Sequence, residues 1–174
     1  MGNPYNNISL YLRAGITIFP SQDKAIEEVL VNLLERCPAQ HILLLDSSGL
    51  LINSLGGGKD TNPVSLASLI AADLAASKEI ANLTRQYNNC QLVMREGERT
   101  NTFIVEAGQY LILFVQLSKD VPLGWARLMI NETANQIADI IKKTPETAEQ
   151  SSIGTTDEDL SSQIDDSIND LWSQ

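Results

Sequence analysis

The sequence predicts an α+β fold in which antiparallel strands, linked by short turns, pack against three helices. Two observations predict it. Apolar residues recur at helical spacing in three long segments, and five shorter apolar segments are bounded by polar turns or by those helices. The predicted order is helix, two strands, helix, three strands, helix. With 174 residues, 43% of them hydrophobic, the chain can bury one sizeable core.

A strand-like segment precedes this pattern. Apolar side chains alternate strictly over residues 8–19, with a bend expected at Gly15. We therefore assign residues 1–20 to an N-terminal, strand-like extension. The first helix is predicted over residues 21–37, with Ser21 as its N-cap. Its apolar face is predicted to carry Ile26, Val29, Leu30, Leu33, Leu34 and Cys37.

A β-hairpin and a long helix come next. Two apolar runs, residues 41–45 and 50–55, surround a polar turn that contains glycine. The glycine-rich segment 56–63 is expected to be an irregular loop. The helix over about residues 65–86 interleaves aliphatic residues with six alanines. Small side chains let another helix or sheet approach closely, although these alanines could also pack only against their own sheet.

Three strands and a closing helix complete the pattern. The strands are predicted at Cys90–Glu96, Thr100–Ala107 and Tyr110–Leu117, joined by short turns as in a meander. The closing helix is predicted over residues 123–143. Its buried face is expected to carry Trp125, Leu128, Met129, Ile137, Ile140 and Ile141.

The C-terminal tail has a different composition. The chain carries a net charge of −10, and from residue 144 onward it has eight Asp or Glu and no Lys or Arg. Residues 144–159 have few large apolar groups, so we expect an acidic, disordered linker. Residues 160–174 are expected to form a short acidic amphipathic helix that binds a partner, unless the tail only solubilises the protein. Its candidate partner-binding residues are Leu160, Ile164, Ile168, Leu171 and Trp172.

Charge and hydropathy exclude several classes of protein. A near-neutral body with an acidic tail argues against nucleic acid or an anionic membrane as the main partner. The first residues lack the pattern of a secretory signal, and no segment reaches the roughly 18 apolar residues that span a bilayer. We therefore expect a cytoplasmic protein without membrane insertion. Cys37 and Cys90 are expected to be reduced and buried, with a disulfide as the alternative.

The sequence offers few groups for catalysis. Cys37 and His41 could form a nucleophile–base pair, but the cysteine lies on an apolar helix face and is expected to be a packed core thiol. The segment 56–59 lacks the spacing of a phosphate-binding loop, and a second histidine for a metal site is missing. We expect neither an enzyme nor a cofactor. Arg99, in a predicted turn, is a candidate contact to a partner's phosphates.

Residues 21–143 resemble the Roadblock/LC7 domain family. The turn and strand 46–52 (DSSGLLI) are similar to that family's hairpin, and the alanine-rich long helix is similar to its second helix. The apolar strand 110–115 (YLILFV) resembles its last strand, and Gly124 with Arg127 lie where its closing helix usually begins. The N-terminal extension and the long acidic tail are additional to the family's core.

The resemblance implies a five-stranded antiparallel sheet flanked by helices. It also implies a homodimer, since family members pair through the long helix and the third core strand to make one continuous sheet. On this basis the candidate dimer-interface residues are Leu66, Leu69, Ile70, Asp73, Leu74, Ser77 and Val93.

The resemblance also implies a function. Family members attach to dynein, scaffold Rag-type GTPases or, as the bacterial MglB-type proteins that this chain resembles most, stimulate a Ras-like GTPase. We therefore expect a homodimeric regulator or scaffold of a small Ras-like GTPase. A structural adaptor for a motor or filament, binding through the acidic C-terminal helix, is the first alternative. A ligand sensor of the PAS or GAF type is the second.

Overall fold

The computed structural model describes residues 11–13, 16–58, 61–85 and 92–143, and for residues 11–13 and 16 the backbone alone. The described helices are α1 (Pro20–Arg36), α2 (Pro63–Thr84) and α3 (Leu123–Lys142). The described strands are β1 (Tyr11–Arg13), β2 (Ile16–Ile18), β3 (Ala39–Asp46), β4 (Leu51–Gly56), β5 (Leu92–Glu96), β6 (Thr100–Glu106) and β7 (Leu111–Ser118).

Strands β3 to β7 form one antiparallel sheet with the order β4-β3-β7-β6-β5. Helices α1 and α3 pack on one face of this sheet, and α2 packs on the other. The predicted five-stranded antiparallel sheet with flanking helices is confirmed. Because β3 and β7 lie at its centre, they are buried on both faces, which explains the unbroken apolar run from Ile42 to Leu45.

The N-terminal segment forms a small hairpin that takes no part in this sheet. Strands β1 and β2 pair antiparallel, with Tyr11 opposite Ile18 and Arg13 opposite Ile16. Residues 8–19 therefore contain two short strands where the sequence predicted one bent strand. Ile18 is buried in the core beside α1.

Helix α1 begins one residue earlier than predicted, and Ser21 is not its N-cap. Phe19 is the N-cap residue, and its N–H donates to Oε1 of Gln22 at 3.0 Å. Pro20 fits the first turn because its missing N–H would have no partner there. The amide of Gln22 donates to the carbonyl oxygens of Ile140 and Lys143, each at 3.0 Å. This buried glutamine therefore ties the start of α1 to the end of α3.

The prediction that α3 buries Trp125 and Leu128 was wrong. Trp125 is 40% exposed and Leu128 is 62% exposed. The face towards the sheet instead carries small residues between larger ones, namely Ala126, Met129, Ile130, Thr133, Ala134, Ile137 and Ala138. Alanines let the helix axis lie close to the sheet, so the buried stripe follows them and leaves the large side chains outside. Ile140 and Ile141 are half-buried.

The turn between β3 and β4 sets the position of α2. Oδ1 of Asp46 accepts hydrogen bonds from the backbone N–H groups of Ser48 at 2.8 Å and Leu50 at 3.0 Å. Gly49 in this turn has φ +88°, and a Cβ built on it would lie 2.8 Å from the Cα of Ser68 in α2. Only glycine allows this approach, so the turn and the helix are packed backbone to backbone.

Candidate self-association surface

Helix α2 is the least charged of the surface helices. Its 22 residues include three charged side chains, Asp73, Lys78 and Glu79. Two of these are paired with the sheet, Asp73 with Arg95 and Lys78 with Glu106. The outward side of α2 is therefore almost free of unpaired charge along its length.

The same outward side exposes large apolar residues. Val64, Leu69, Ile80 and Leu83 are between 55% and 76% exposed. Leu69, Ile80 and Leu83 share one side of the helix with the exposed Ala76, because their spacing follows the helical repeat. A contiguous apolar stripe on a surface helix is typical of a protein interface.

An open groove of about 460 Å³ runs between α2 and the sheet. One helix is too narrow to cover five strands, and α2 lies over β3 and β4, so the part of the sheet near β5 and β6 is left open on this face. The groove is lined by Thr61, Leu66, Leu69, Ile70, Asp73, Arg95, Thr102, Ile104, Phe114 and Gln116. Its walls combine an apolar strip with a few polar groups.

An ion pair crosses this groove. Nη2 of Arg95, on β5, lies 2.5 Å from Oδ1 of Asp73, on α2. The aspartate side chain is only 17% exposed, whereas the arginine side chain is 63% exposed. In the described part of the chain, the second oxygen of Asp73 is buried and has no hydrogen-bond partner.

Strand β5 borders the groove at the edge of the sheet. It pairs with β6 on one side, with Val93 opposite Ile104 and Arg95 opposite Thr102. Val93 packs with the core under α2, and Met94 on the same strand is 40% exposed. An edge strand beside an apolar helix stripe can extend its sheet by pairing with another antiparallel strand.

The predicted dimer-interface residues divide into two groups in the structure. Ile70 and Leu74 point into the core beneath α2, where they are at most 3% exposed. The others are less buried: Leu69 is exposed, and Leu66, Asp73, Ser77 and Val93 are half-buried. Four of the seven positions, Leu66, Leu69, Ile70 and Asp73, line the groove between α2 and the sheet.

Cys37 and His41 lie on opposite faces of the sheet, so they form no catalytic pair. Cys37 is fully buried among core residues under α1 and α3, and burial raises the pKa of its thiol. It is a packed core thiol, as predicted. His41 is 3% exposed on the α2 side, with its ring nearly perpendicular to that of Phe114 and Nε2 3.4 Å from Oγ of Ser54. Burial lowers the pKa of this histidine.

Gly57, in the glycine-rich segment after β4, packs against the ring of His41. A Cβ built on Gly57, which has φ +91°, would lie 2.8 Å from Nε2 of His41. The segment predicted as an irregular loop therefore contains a glycine that packs on the imidazole. Lys59 lies outside the described residues.

The other sequence-derived candidates remain predictions. Arg99 is exposed in the turn between β5 and β6, and its carbonyl oxygen accepts the N–H of Lys119 at 3.0 Å. The tail candidates Leu160, Ile164, Ile168, Leu171 and Trp172 lie outside the described residues, as does Cys90.

Sequence reasoning missed several groove residues. Arg95, Thr102 and Gln116 line the groove, and Ile80 and Leu83 extend the apolar stripe. Periodicity could have identified Ile80 and Leu83, because they repeat on the side of Leu69. The Asp73–Arg95 contact joins residues 22 positions apart in two elements, which periodicity does not reveal.

Within the described ranges, no group of three or more His, Cys, Asp or Glu is placed to hold a metal ion. None of the helices there is both long enough and apolar enough to cross a membrane.

Comparison with known proteins places the chain in a family. The Roadblock/LC7 domain family matches residues 25–117, more than half of the chain. This chain belongs to the Roadblock/LC7 domain family. A comparison with curated proteins gave no match.

Solved structures of MglB proteins are similar to this chain. MglB from Myxococcus xanthus has a TM-score of 0.67 and 26% identity, over 74% of this chain and 98% of that one. The gliding protein MglB from Thermus thermophilus has a TM-score of 0.66 and 25% identity, over 79% of this chain and 98% of that one. An MglB described as having a tetrameric arrangement has a TM-score of 0.66 and 26% identity, over 78% and 96%.

Proposed function

We propose that this protein is a homodimeric regulator or scaffold of a small Ras-like GTPase. The single observation that carries the proposal is the outward side of α2, which exposes a nearly uncharged apolar stripe beside an open groove and an edge strand. Membership of the Roadblock/LC7 family and the similarity to MglB structures support the same function, because the resemblance to MglB-type proteins implies regulation of a Ras-like GTPase.

A second copy of the chain suits this surface. A two-fold axis beside β5 would set the two β5 strands antiparallel, so that one sheet continues through both protomers. It would also bring the two α2 helices side by side, so that the exposed side chains of Leu69 and Ile80 would become buried in the interface. Burying apolar area contributes roughly 25 cal/mol per Å², so large side chains on both helices would add several kcal/mol.

The part of the α2 stripe that lies farther from β5 would then remain for another partner. In such a dimer the exposed Ala72, Ala76 and Leu83 of both protomers would form one broad, mostly apolar surface, with Glu79 at its border. Such a surface suits a folded protein and offers little to a phosphate backbone. Because the dimer would bind the GTPase through a complementary surface, we assign no catalytic residue to the chain.

A binding assay with matched variants tests the proposal. A purified small Ras-like GTPase from the same organism is loaded with GDP or with a non-hydrolysable GTP analogue, and its affinity for the protein is measured. We expect preference for one nucleotide state. Leu83→Asp should weaken binding about tenfold or more, because a charge would enter an apolar contact. Leu128→Asp is the control, since Leu128 is similarly exposed on the opposite face.

Equal binding in both nucleotide states, or equal losses in the two variants, would contradict the GTPase proposal. Either result would favour the adaptor function, with residues 160–174 as the next segment to test.

A further inference from the structure

We propose that the Asp73–Arg95 ion pair is the specificity-determining contact for self-association, and that its partner surface is a second copy of this chain. The proposal rests on the homodimer proposed above. Within that homodimer, the Asp73–Arg95 contact would decide whether two copies pair. Other ion pairs of α2 would only stabilise the protomer.

The pair lies where a second copy would cover it. It bridges the groove from edge strand β5 to helix α2, and the same groove is lined by the apolar residues Leu69 and Ile104. Arg95 is exposed in the protomer, so its guanidinium remains hydrated on its outer side. A second β5 strand placed beside the first would remove that water.

Charge favours an identical partner over a charged one. The groove lining carries one anion and one cation, and these are already paired with each other. A surface without net charge does not repel its own copy, whereas a strongly acidic or basic partner would gain nothing from it. The apolar strip is likewise complementary to another apolar strip.

The carboxylate of Asp73 is only half satisfied in the protomer. Oδ1 contacts Arg95, while Oδ2 is buried without a partner in the described part of the chain. A largely buried carboxylate depends on its ion-pair partner, and in the protomer the exposed 17% of the Asp73 side chain still lets water reach it. Loss of Arg95 would therefore leave an unpaired anion in the groove wall.

This dependence becomes larger when the groove is covered. In the protomer, water screens the exposed guanidinium, so the pair contributes little to folding. In a covered groove the dielectric is lower, and one unpaired charge costs far more than the pair itself contributes. Breaking the pair should thus weaken self-association much more than it lowers protomer stability.

A second ion pair on the same helix provides the matched control. Lys78 of α2 pairs with Glu106 of β6, and both side chains are partly exposed. This pair also joins α2 to the sheet, but neither residue lines the groove. Removing the Lys78–Glu106 pair should lower protomer stability by a similar small amount. It should not change the surface that a second copy covers.

The test measures the dissociation constant of the full-length protein by sedimentation equilibrium, with thermal unfolding as a parallel readout. Asp73→Asn and Arg95→Gln should each weaken self-association about tenfold or more, while Glu106→Gln stays within about twofold of the wild type. The double variant Asp73→Asn with Arg95→Gln should bind more tightly than either single variant, because no unpaired charge remains.

If the wild type forms a dimer and both Asp73→Asn and Arg95→Gln have its dissociation constant, the proposal for the ion pair is overturned and the homodimer is not. A Glu106→Gln effect as large as theirs would also overturn it, because the pair would then be one of several equivalent contacts to α2. A wild-type protein that stays monomeric would instead contradict the homodimer on which this inference rests.

Discussion

At the scale of single residues, His41 shows how burial changes chemistry. Its ring is held between Phe114 and the backbone of Gly57, and Nε2 faces Oγ of Ser54. Because these surroundings favour the neutral ring, the pKa of His41 is lowered from 6.5 in the folded protein. At pH values below 6.5, the histidine therefore binds a proton more readily in the unfolded chain than in the folded chain.

Stability should consequently fall as the pH drops through that interval. Where the unfolded state binds more protons, the free energy of unfolding rises with pH. This contribution is fully present above the unfolded pKa and is lost as the pH falls towards the lower, folded pKa. We expect chemical unfolding between about pH 7.5 and 5.5 to show this slope, and His41→Gln to reduce it. His41 is the chain's single histidine, so an unchanged slope in the variant would contradict this account.

At the scale of elements, α3 shows why small residues matter. Its buried face is set by alanines at positions 126, 134 and 138, and a Cβ built on Gly108 would lie 3.2 Å from the Cβ of Ala138. This close contact holds the helix over β6 and β7. The exposed Leu128 faces away from the sheet.

Two substitutions in α3 should therefore differ strongly. Ile130→Ala leaves a cavity at a fully buried position and should lower the free energy of unfolding by about 2–4 kcal/mol. Leu128→Ala, on the outward side, should change it by about 0.5 kcal/mol or less. Urea unfolding of the two variants measures this difference. Similar losses would mean that the buried face of α3 has been placed incorrectly.

The elements themselves could be predicted because each has a clear period or run of apolar residues. The order of helices and strands followed from these patterns, and the boundaries of α1 to α3 and β3 to β7 moved by at most two residues. The buried face of α3 could not be predicted in the same way, because Trp125 and Leu128 outweigh Ala126 and Ala134 in any pattern of hydrophobicity. Which side of a helix faces the sheet depends on how closely the backbones approach.

The candidate surface was predictable only in part, for a related reason. The alanine-rich composition of α2 indicated close packing, and the family resemblance pointed to Leu69 and Asp73. The groove, however, exists because α2 covers β3 and β4 and leaves β5 open, which is a property of the whole sheet. Arg95 enters the surface through the register of β5 against β6, which the local sequence does not specify.

At the scale of the whole molecule, the sheet is unequally covered. Two helices pack on one face and one on the other, so a strip of sheet beside β5 remains open in the protomer. The exposed apolar stripe of α2 borders this strip. Self-association would cover both features at once, and it is the central claim on which the regulatory proposal depends.

The measurement that tests this claim most directly is the molar mass in solution, by light scattering after size-exclusion chromatography over a range of concentrations. We predict a dimer for the wild type and for Leu128→Asp, and a monomer for Leu69→Asp, whose side chain is 68% exposed beside the groove. Both variants place a new charge on an exposed leucine, so they differ in location and not in chemistry. A monomeric wild type, or a Leu69→Asp variant that dimerises as the wild type does, would contradict the account.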